Sequence, residues 1–254
     1  MSDKRHKDPL YTEPTAFGAK AVTSVWDGGP ERQLEIISYA GREFMYRPHC
    51  CDFATLTDIA KRRIYERHRS IEPDDVWLDG GANIGAFSVI ASGQCDRVVA
   101  VKPEPTNFDL LKRNLHLNDC QNVVVIRAAL VADDTQSVTL YQNVTGNTGS
   151  HSLYVKRGRP GLKVPARNIV DLIEQYGVNC LKLDIEGAER EIIPSLPLGS
   201  LRALAMEYHF NACRDRDHSN YREMVKLLAD HFPHTRFNPD PPMHNWFSLV
   251  YCWR

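Results

Sequence analysis

Residues 75–85 read Asp75-Val76-Trp77-Leu78-Asp79-Gly80-Gly81-Ala82-Asn83-Ile84-Gly85, a short apolar run that breaks into a glycine-rich turn. Val76-Trp77-Leu78 predicts a buried strand, and Phe87 and Ile90 beyond the turn sit at helical spacing. A strand, a glycine turn and a helix in that order form the cradle of nucleotide-type ligands. Missing Cβ atoms let the backbone turn sharply, and the helix start offers unpaired N–H donors. A structural glycine turn would look the same in isolation, so the surrounding chain has to decide.

Working outward, the same alternation recurs. Val98–Val101 is the next apolar run, with Phe108, Leu111 and Leu115 at helical spacing after it. Val123–Ile126 is a third strand, and Ser137–Tyr141 a short extra one. Cys180–Leu183 is a fourth with a helix from Gly187, Leu201–Met206 a fifth, and residues 219–232 a further helix. Trp246–Trp253 closes the chain as an antiparallel strand after the hairpin-like HTRFNPDPPMHN. Strands alternating with helices predict a doubly wound, mostly parallel α/β sheet, whose ligands sit beyond the strand C-termini. On the N-terminal side, residues 33–47 predict two strands meeting at Ala40-Gly41, residues 53–69 a helix, and the first 30 residues a loose arm.

The turn itself discriminates between ligands. A dinucleotide fingerprint needs G-x-G-x-x-G around a pyrophosphate, whereas here Asn83 stands where the second glycine would fall. Asp79 at the strand end would oppose a pyrophosphate but suits a ligand carrying an ammonium and a sulfonium. A methyl donor fits better than a nicotinamide.

The stretches VWLDGGANIGAFSVIAS, VVAVKPEPTNFDLLKRNLHLND, VVVIRAALVADD, CLKLDIEGAEREII and ALAMEYH, within residues 75–209, together resemble the FkbM-type family of S-adenosylmethionine-dependent O-methyltransferases. Tyr65-Glu66 is similar to that family's entry segment. The resemblance implies a Rossmann-like class I methyltransferase domain over 71–254, preceded by an arm, a β-hairpin and a helix over 1–70. It implies S-adenosylmethionine held by Asp79, Gly81, Ala82, Asn83, Gly85, Ala129 and Asp184, with Ala128-Ala129 small enough to admit an adenine edge. The family reads F-E-P-x-P after its second strand, the acid taking the ribose hydroxyls, but this chain has Val101-Lys102-Pro103-Glu104-Pro105. An ammonium accepts no hydrogen bonds. Either Glu104 substitutes by a local shift, or cofactor binding is weakened, or ribose recognition is solved differently.

Lys182, Asp184 and Glu186 alternate, so on an extended strand they would share one orientation while Leu181, Leu183 and Ile185 face the core. Glu189 follows in the first turn of a helix, where its charge suits the helix dipole. A solvated salt-bridge cluster would read the same way; the resemblance implies that Asp184 and Glu186 line a methyl-transfer site. A hydroxyl acceptor must lose its proton as the new bond forms, so Asp184, Glu186, Glu207 and His209 are the candidate catalytic groups, with Glu207 able to orient His209.

The expected acceptor is a small molecule or glycan. Gly146–Ser152 followed by Lys156-Arg157-Gly158-Arg159 reads as an acceptor-side loop whose basic run would suit a phosphate or carboxylate, or as a plain solvated loop. A net charge of −1 across 254 residues argues against nucleic acid as a partner, since such domains are normally strongly basic. A ribose-directed nucleic-acid methyltransferase and a cofactor-impaired binding protein remain the rival readings. No apolar run approaches the roughly 20 residues of a membrane span. The charged N-terminus lacks the apolar core of a secretory signal. With seven scattered cysteines and no CxxC, reduced thiols and a cytoplasmic location are expected. No Cys/His spacing predicts a metal, a divalent ion among Asp184, Glu186 and Glu207 being the minor alternative. Asp240-Pro241-Pro242-Met243 reads as a proline turn, and the arm and C-terminal hairpin are candidates for homodimer contacts.

Overall fold

Seven strands form the central sheet of the computed structural model, in the order β12-β13-β11-β10-β4-β5-β6. The structure describes residues 20–22 (backbone course only), 34–156, 158–210, 212, 213, 215, 217–239, 241 and 245–254. In chain order the elements are β1 (Lys20–Val22), β2 (Leu34–Tyr39), β3 (Arg42–Tyr46), α1 (Asp52–Leu56), β4 (Val76–Gly80), α2 (Ala86–Ser92), β5 (Arg97–Val101), α3 (Pro105–Leu117) and β6 (Val123–Ile126). There follow β7 (Ala129–Val131), β8 (Ser137–Tyr141), β9 (Gly161–Asn168), α4 (Ile169–Tyr176), β10 (Cys180–Leu183), α5 (Glu189–Ile192), β11 (Ala203–His209), α6 (Ser219–His231), β12 (His234–Phe237) and β13 (Phe247–Trp253).

β4, β5, β6, β10 and β11 run parallel, and β13 lies antiparallel between β11 and β12. The chain winds outward from β4 to β6, then returns to β10 on the other side of β4. The strand order therefore reverses between β4 and β10, where such sheets bind ligands. Alternate residues of the buried strands serve opposite faces. Leu78, Val99, Leu181, Leu183 and Leu204 pack with residues of α4 and α6, while Trp77, Val98, Ala100, Cys180 and Ala205 pack with α2 and α3. Continuous apolar runs are what a sheet covered on both faces requires.

The N-terminal hairpin turns at Ala40-Gly41, both with positive φ (51° and 74°), a primed turn that matches strand twist. Its Ile37, Phe44 and Tyr46 belong to the same apolar cluster as Phe87 and Leu111 of the sheet's helical cover. The arm expected over the first 30 residues lies outside the described residues except at 20–22, where β1 instead adds a strand to the hairpin. The helix expected over 53–69 is broken. α1 stops at Leu56, a π-type turn covers Thr57–Lys61, and Arg63 at φ +54° reverses the chain before a 3₁₀ turn at Ile64–Glu66. That reversal buries Ile64 and Tyr65.

β8 coincides with the short extra strand read at Ser137–Tyr141, whereas β7, β9 and α4 were not anticipated. The three strands form a small separate sheet in the order β7-β9-β8. The fifth central strand also begins two residues later than read, at Ala203, and runs through His209. Among the described residues no helix is long and apolar enough to cross a membrane.

Candidate functional site

The glycine turn is built by close packing as well as by backbone freedom. Gly81 (φ +76°) lies so near the loop leaving β10 that an added Cβ would stand 1.8 Å from the Asp184 carbonyl oxygen. Gly85 (φ +91°) faces Leu111 of α3, which an added Cβ would meet at 2.6 Å. Asn83 also adopts positive φ, 51°, which asparagine tolerates better than most residues. Its side chain is buried, and Oδ1 has no hydrogen-bond partner among the described residues.

Above this turn opens a cleft whose walls include Gly81, Lys102, Ala129, His151, Asp184 and Glu186. Asp79, by contrast, is fully buried beneath it. Its carboxylate pairs with the Lys182 ammonium at 3.1 Å and accepts a 2.6 Å hydrogen bond from Ser88 Oγ. Lys182 also donates to the Gly81 carbonyl at 3.0 Å, tying β10 to the turn. Burial opposes a charge on Lys182, but Asp79 and Asp184 outweigh it and hold its pKa above the usual lysine range. Asp79 thus serves the turn from below rather than lining the cleft.

β10 ends at Leu183, and Glu186 takes φ +56°, so Lys182, Asp184 and Glu186 do not share one extended face. The bend has a different result. It swings Asp184 and Glu186 toward His209, whose Nε2 lies 3.7 Å from Asp184 Oδ1, 3.7 Å from Glu186 Oε2 and 3.8 Å from Glu207 Oε2. His209 Nδ1 meets Glu189 Oε1 at 3.0 Å. Glu189, not Glu207, therefore orients the ring, and it is fully buried while accepting N–H bonds from Ile185 and Gly187. Tyr65 Oη donates to Glu207 Oε1 at 2.9 Å and reaches Asp184 Oδ2 at 3.4 Å.

Charge in this cluster is strongly coupled. Burial disfavours the His209 imidazolium, yet Glu189, Glu186 and Asp184 outweigh it and keep its pKa well above the usual histidine value. Burial and the neighbouring Asp184 carboxylate push Glu207 up to about 8. Burial also raises Glu186, with His209 opposing. His209 is therefore a charged anchor for the carboxylates, less suited to take a proton at neutral pH. Asp184, Glu207 and His209 place one ligand atom each within 4.8 Å of one another, a spacing a divalent cation would tolerate.

Lys102 and Glu104 follow the end of β5, and Lys102 lines the cleft together with His151. Glu104 does not turn to the cleft as a ribose acid would. Its Oε2 caps α3 by accepting the Asn107 N–H at 2.7 Å. Burial draws Lys102 below the usual lysine range against the pull of Asp184, Glu104 and Glu186. The expected acceptor-side loop is pinned: Thr148 donates to Asp52 at 2.8 Å and its carbonyl accepts from Asn107 Nδ2 at 2.7 Å. Of the basic run, Arg159 donates to the Ser150 carbonyl and Lys156 lies over the Tyr141 ring. Arg157 and most of the Asp240–Met243 turn lie outside the described residues.

The sequence profile of the Methyltransferase FkbM domain matches residues 79–232, from the glycine turn to the end of α6. The chain belongs to the FkbM methyltransferase family. It is 26% identical over 196 residues to methyltransferase sdnD of Sordaria araneosa, covering 62% of this chain and 70% of that protein. It is 26% identical over 161 residues to the hexuronic acid methyltransferase AglP of Haloferax volcanii, covering 63% of each. In fold it is similar to P. horikoshii TYW2, solved in complex with MeSAdo, at a TM-score of 0.50 and 14% identity over 87% of this chain and 71% of that one. The sheet is thus the Rossmann-like one of class I S-adenosylmethionine-dependent methyltransferases.

Within that family frame, Gly81, Lys102, Ala129, Asp184 and Glu186 come to one cleft, and Glu207 and His209 join Asp184 and Glu186 from β11. Tyr65, Glu189 and His151 belong to the same site and were not singled out as site residues from sequence. Tyr65 lies 142 positions from the carboxylate it bonds, so no local pattern announces it.

Proposed function

We propose that this chain is an S-adenosylmethionine-dependent O-methyltransferase that acts on a hydroxyl of a small molecule or sugar. The observation carrying this reading is the convergence of Asp184, Glu186, Glu207 and His209 on one side of the switch-point cleft, directly above the Gly81 turn. Three features suit an adenosyl amino acid: the cradle at Gly81 that a Cβ would fill, the unpartnered Asn83 Oδ1, and the small buried wall of Ala128-Ala129. Lys102 alone runs against the usual ribose contact.

S-adenosylmethionine, when bound, supplies an electrophilic methyl group. The protein's task is then to hold the acceptor oxygen in line and remove its proton, positioning being the larger contribution. Asp184 is the residue placed to take that proton, since it lines the cleft and is held by Tyr65 and, at 3.9 Å, by Lys182. His209, kept charged by its carboxylates, steadies Asp184 and Glu186 against mutual repulsion. A glycan acceptor is favoured because one relative of the chain is named a hexuronic acid methyltransferase. Seven free cysteines suit a reducing compartment, and we place the activity in the cytoplasm.

The test is Asp184→Asn, assayed by S-adenosylhomocysteine release over a panel of hydroxylated acceptors that includes uronic acid glycosides. Turnover should fall by roughly 10²-fold or more while cooperative unfolding is retained. Near-normal turnover would remove Asp184 from the mechanism.

A further inference from the structure

Two hydrogen-bond donors on largely buried side chains line the cleft, and neither has an acceptor among the described residues. Lys102 is 5% exposed and, among the described residues, its ammonium makes no hydrogen bond and no ion pair. Glu104, the carboxylate nearest in sequence, is occupied by the Asn107 N–H and by Gln142 at 3.5 Å. His151 is 9% exposed, and its Nδ1 accepts the Asn143 N–H at 2.9 Å. That bond leaves the lone pair on Nδ1 and the proton on Nε2, so the ring presents an N–H that no described atom accepts.

We propose that Lys102 and His151 form an anion-recognition pair at the β5 end of the cleft, which takes a carboxylate or phosphate carried on a sugar ring. Lys102 feels the charge of Asp184, Glu104 and Glu186 but bonds to none of them, and a largely buried cation gains most from a ligand that brings a bonded anion. A neutral diol would satisfy donors but leave the charge uncompensated, whereas charge-assisted bonds are about twice as strong as neutral ones. The neighbouring arginines do not compete for the anion. Arg47 forks onto Asp52 and Asn107, and Arg159 bonds the Ser150 carbonyl. The pair deepens the methyltransferase reading and rests on it for what the sugar belongs to: S-adenosylmethionine has no anion on its ribose, so a uronic acid or sugar phosphate acceptor is expected rather than a phosphorylated nucleoside.

Calorimetric titrations separate these sources. Adenosine is compared with adenosine 2′-monophosphate, and methyl glucoside with methyl glucuronide, on wild type, Lys102→Arg and Lys102→Met. In the second pair the anionic member should bind wild type about tenfold more tightly, equivalent to about 1.4 kcal/mol. Lys102→Arg should keep that preference and Lys102→Met should lose it. Discrimination in the second pair assigns the site to the acceptor; discrimination confined to the first would give it to a phosphorylated nucleoside and overturn the acceptor assignment. Preferences under twofold in both pairs, or a preference that survives Lys102→Met, overturn the proposal; the wild-type measurement decides even if a variant does not fold. S-adenosylhomocysteine titrated in parallel tests the underlying reading by itself. Its binding without any anion preference defeats only the pair, and an anion preference without its binding defeats only the methyltransferase reading.

Discussion

Lys182 and Lys102 are both buried at the C-terminal edge of the central sheet, yet their surroundings are opposite. Lys182 has Asp79 at 3.1 Å, Asp184 at 3.9 Å and two backbone carbonyls, and its pKa is held up. Lys102 has carboxylates near it but none bonded to it, and its pKa is drawn down by burial. The same residue type is thus a structural tie in one place and, in the other, a group lining the cleft with no bonded partner among the described residues. A buried cation supplied with its counterion by the chain needs nothing further. One left without a partner points to something the chain does not contain.

The largest way to break this contrast is at Lys182. Lys182→Met strands the fully buried Asp79 carboxylate and should cost about 3–5 kcal/mol, measured by denaturant unfolding. Adding Asp79→Asn should recover a large part of that loss, because the stranded charge is gone. If the single variant costs under about 1 kcal/mol, the pair is not the tie described and the comparison collapses.

A smaller effect probes the acidic wall through pH. The folded chain raises Glu207 to about 8, above the usual glutamate value near 4.3. A raised carboxyl prefers its proton in the folded state, so it costs nothing below the unfolded value and lowers stability progressively as pH rises toward 8. Glu207→Gln removes that loss and can still accept the Tyr65 hydroxyl. Its melting temperature should match wild type near pH 4 and exceed it by a margin that grows steadily up to pH 8.5. A difference independent of pH would show that Glu207 is ionised throughout.

How much of this was legible in the sequence follows from which contacts are local. The central strands were, because a doubly covered sheet demands apolar runs such as Val98–Val101 and Cys180–Leu183. The glycine turn was too, since its spacing lies within seven residues. β9 was not. Pro165 argues against a ladder strand, but β9 lies between β7 and β8, with the Ala166 N–H bonded to the Gln136 carbonyl instead. α4 did carry a signal, an Asn168 cap accepting from the Val170 N–H and Gly177 at its end, that went unused. The site divides the same way. Asp184, Glu186, Glu207 and His209 sit in two short motifs and could be named. Glu189 looked like a surface helix start and is instead the buried partner of His209, a contact made only because β10 and β11 are neighbours. Lys102 was conspicuous as a departure, but its sharing a cleft with His151 depends on the Tyr141–Ser152 bridge next to His151.

The smallest effect expected is also the most discriminating, because its sign is reversed. If Lys102 has no partner in the ligand-free chain, Lys102→Met should stabilise it, by about 1 kcal/mol or 2–4 °C in melting temperature, where Lys182→Met destabilises. The pH dependence follows from the lowered pKa. Below the folded value both states hold the proton and the penalty is complete. Between the folded value and the usual 10.4 the unfolded chain binds more protons, so wild-type stability rises with pH. The advantage of Lys102→Met should therefore be full at neutral pH and shrink toward pH 10. A ligand bearing the matching anion should invert the order, raising the wild-type melting temperature above the variant's. A destabilised Lys102→Met chain at pH 7 would mean that the ammonium is already satisfied within the protein, and that the β5 wall has no anion to wait for.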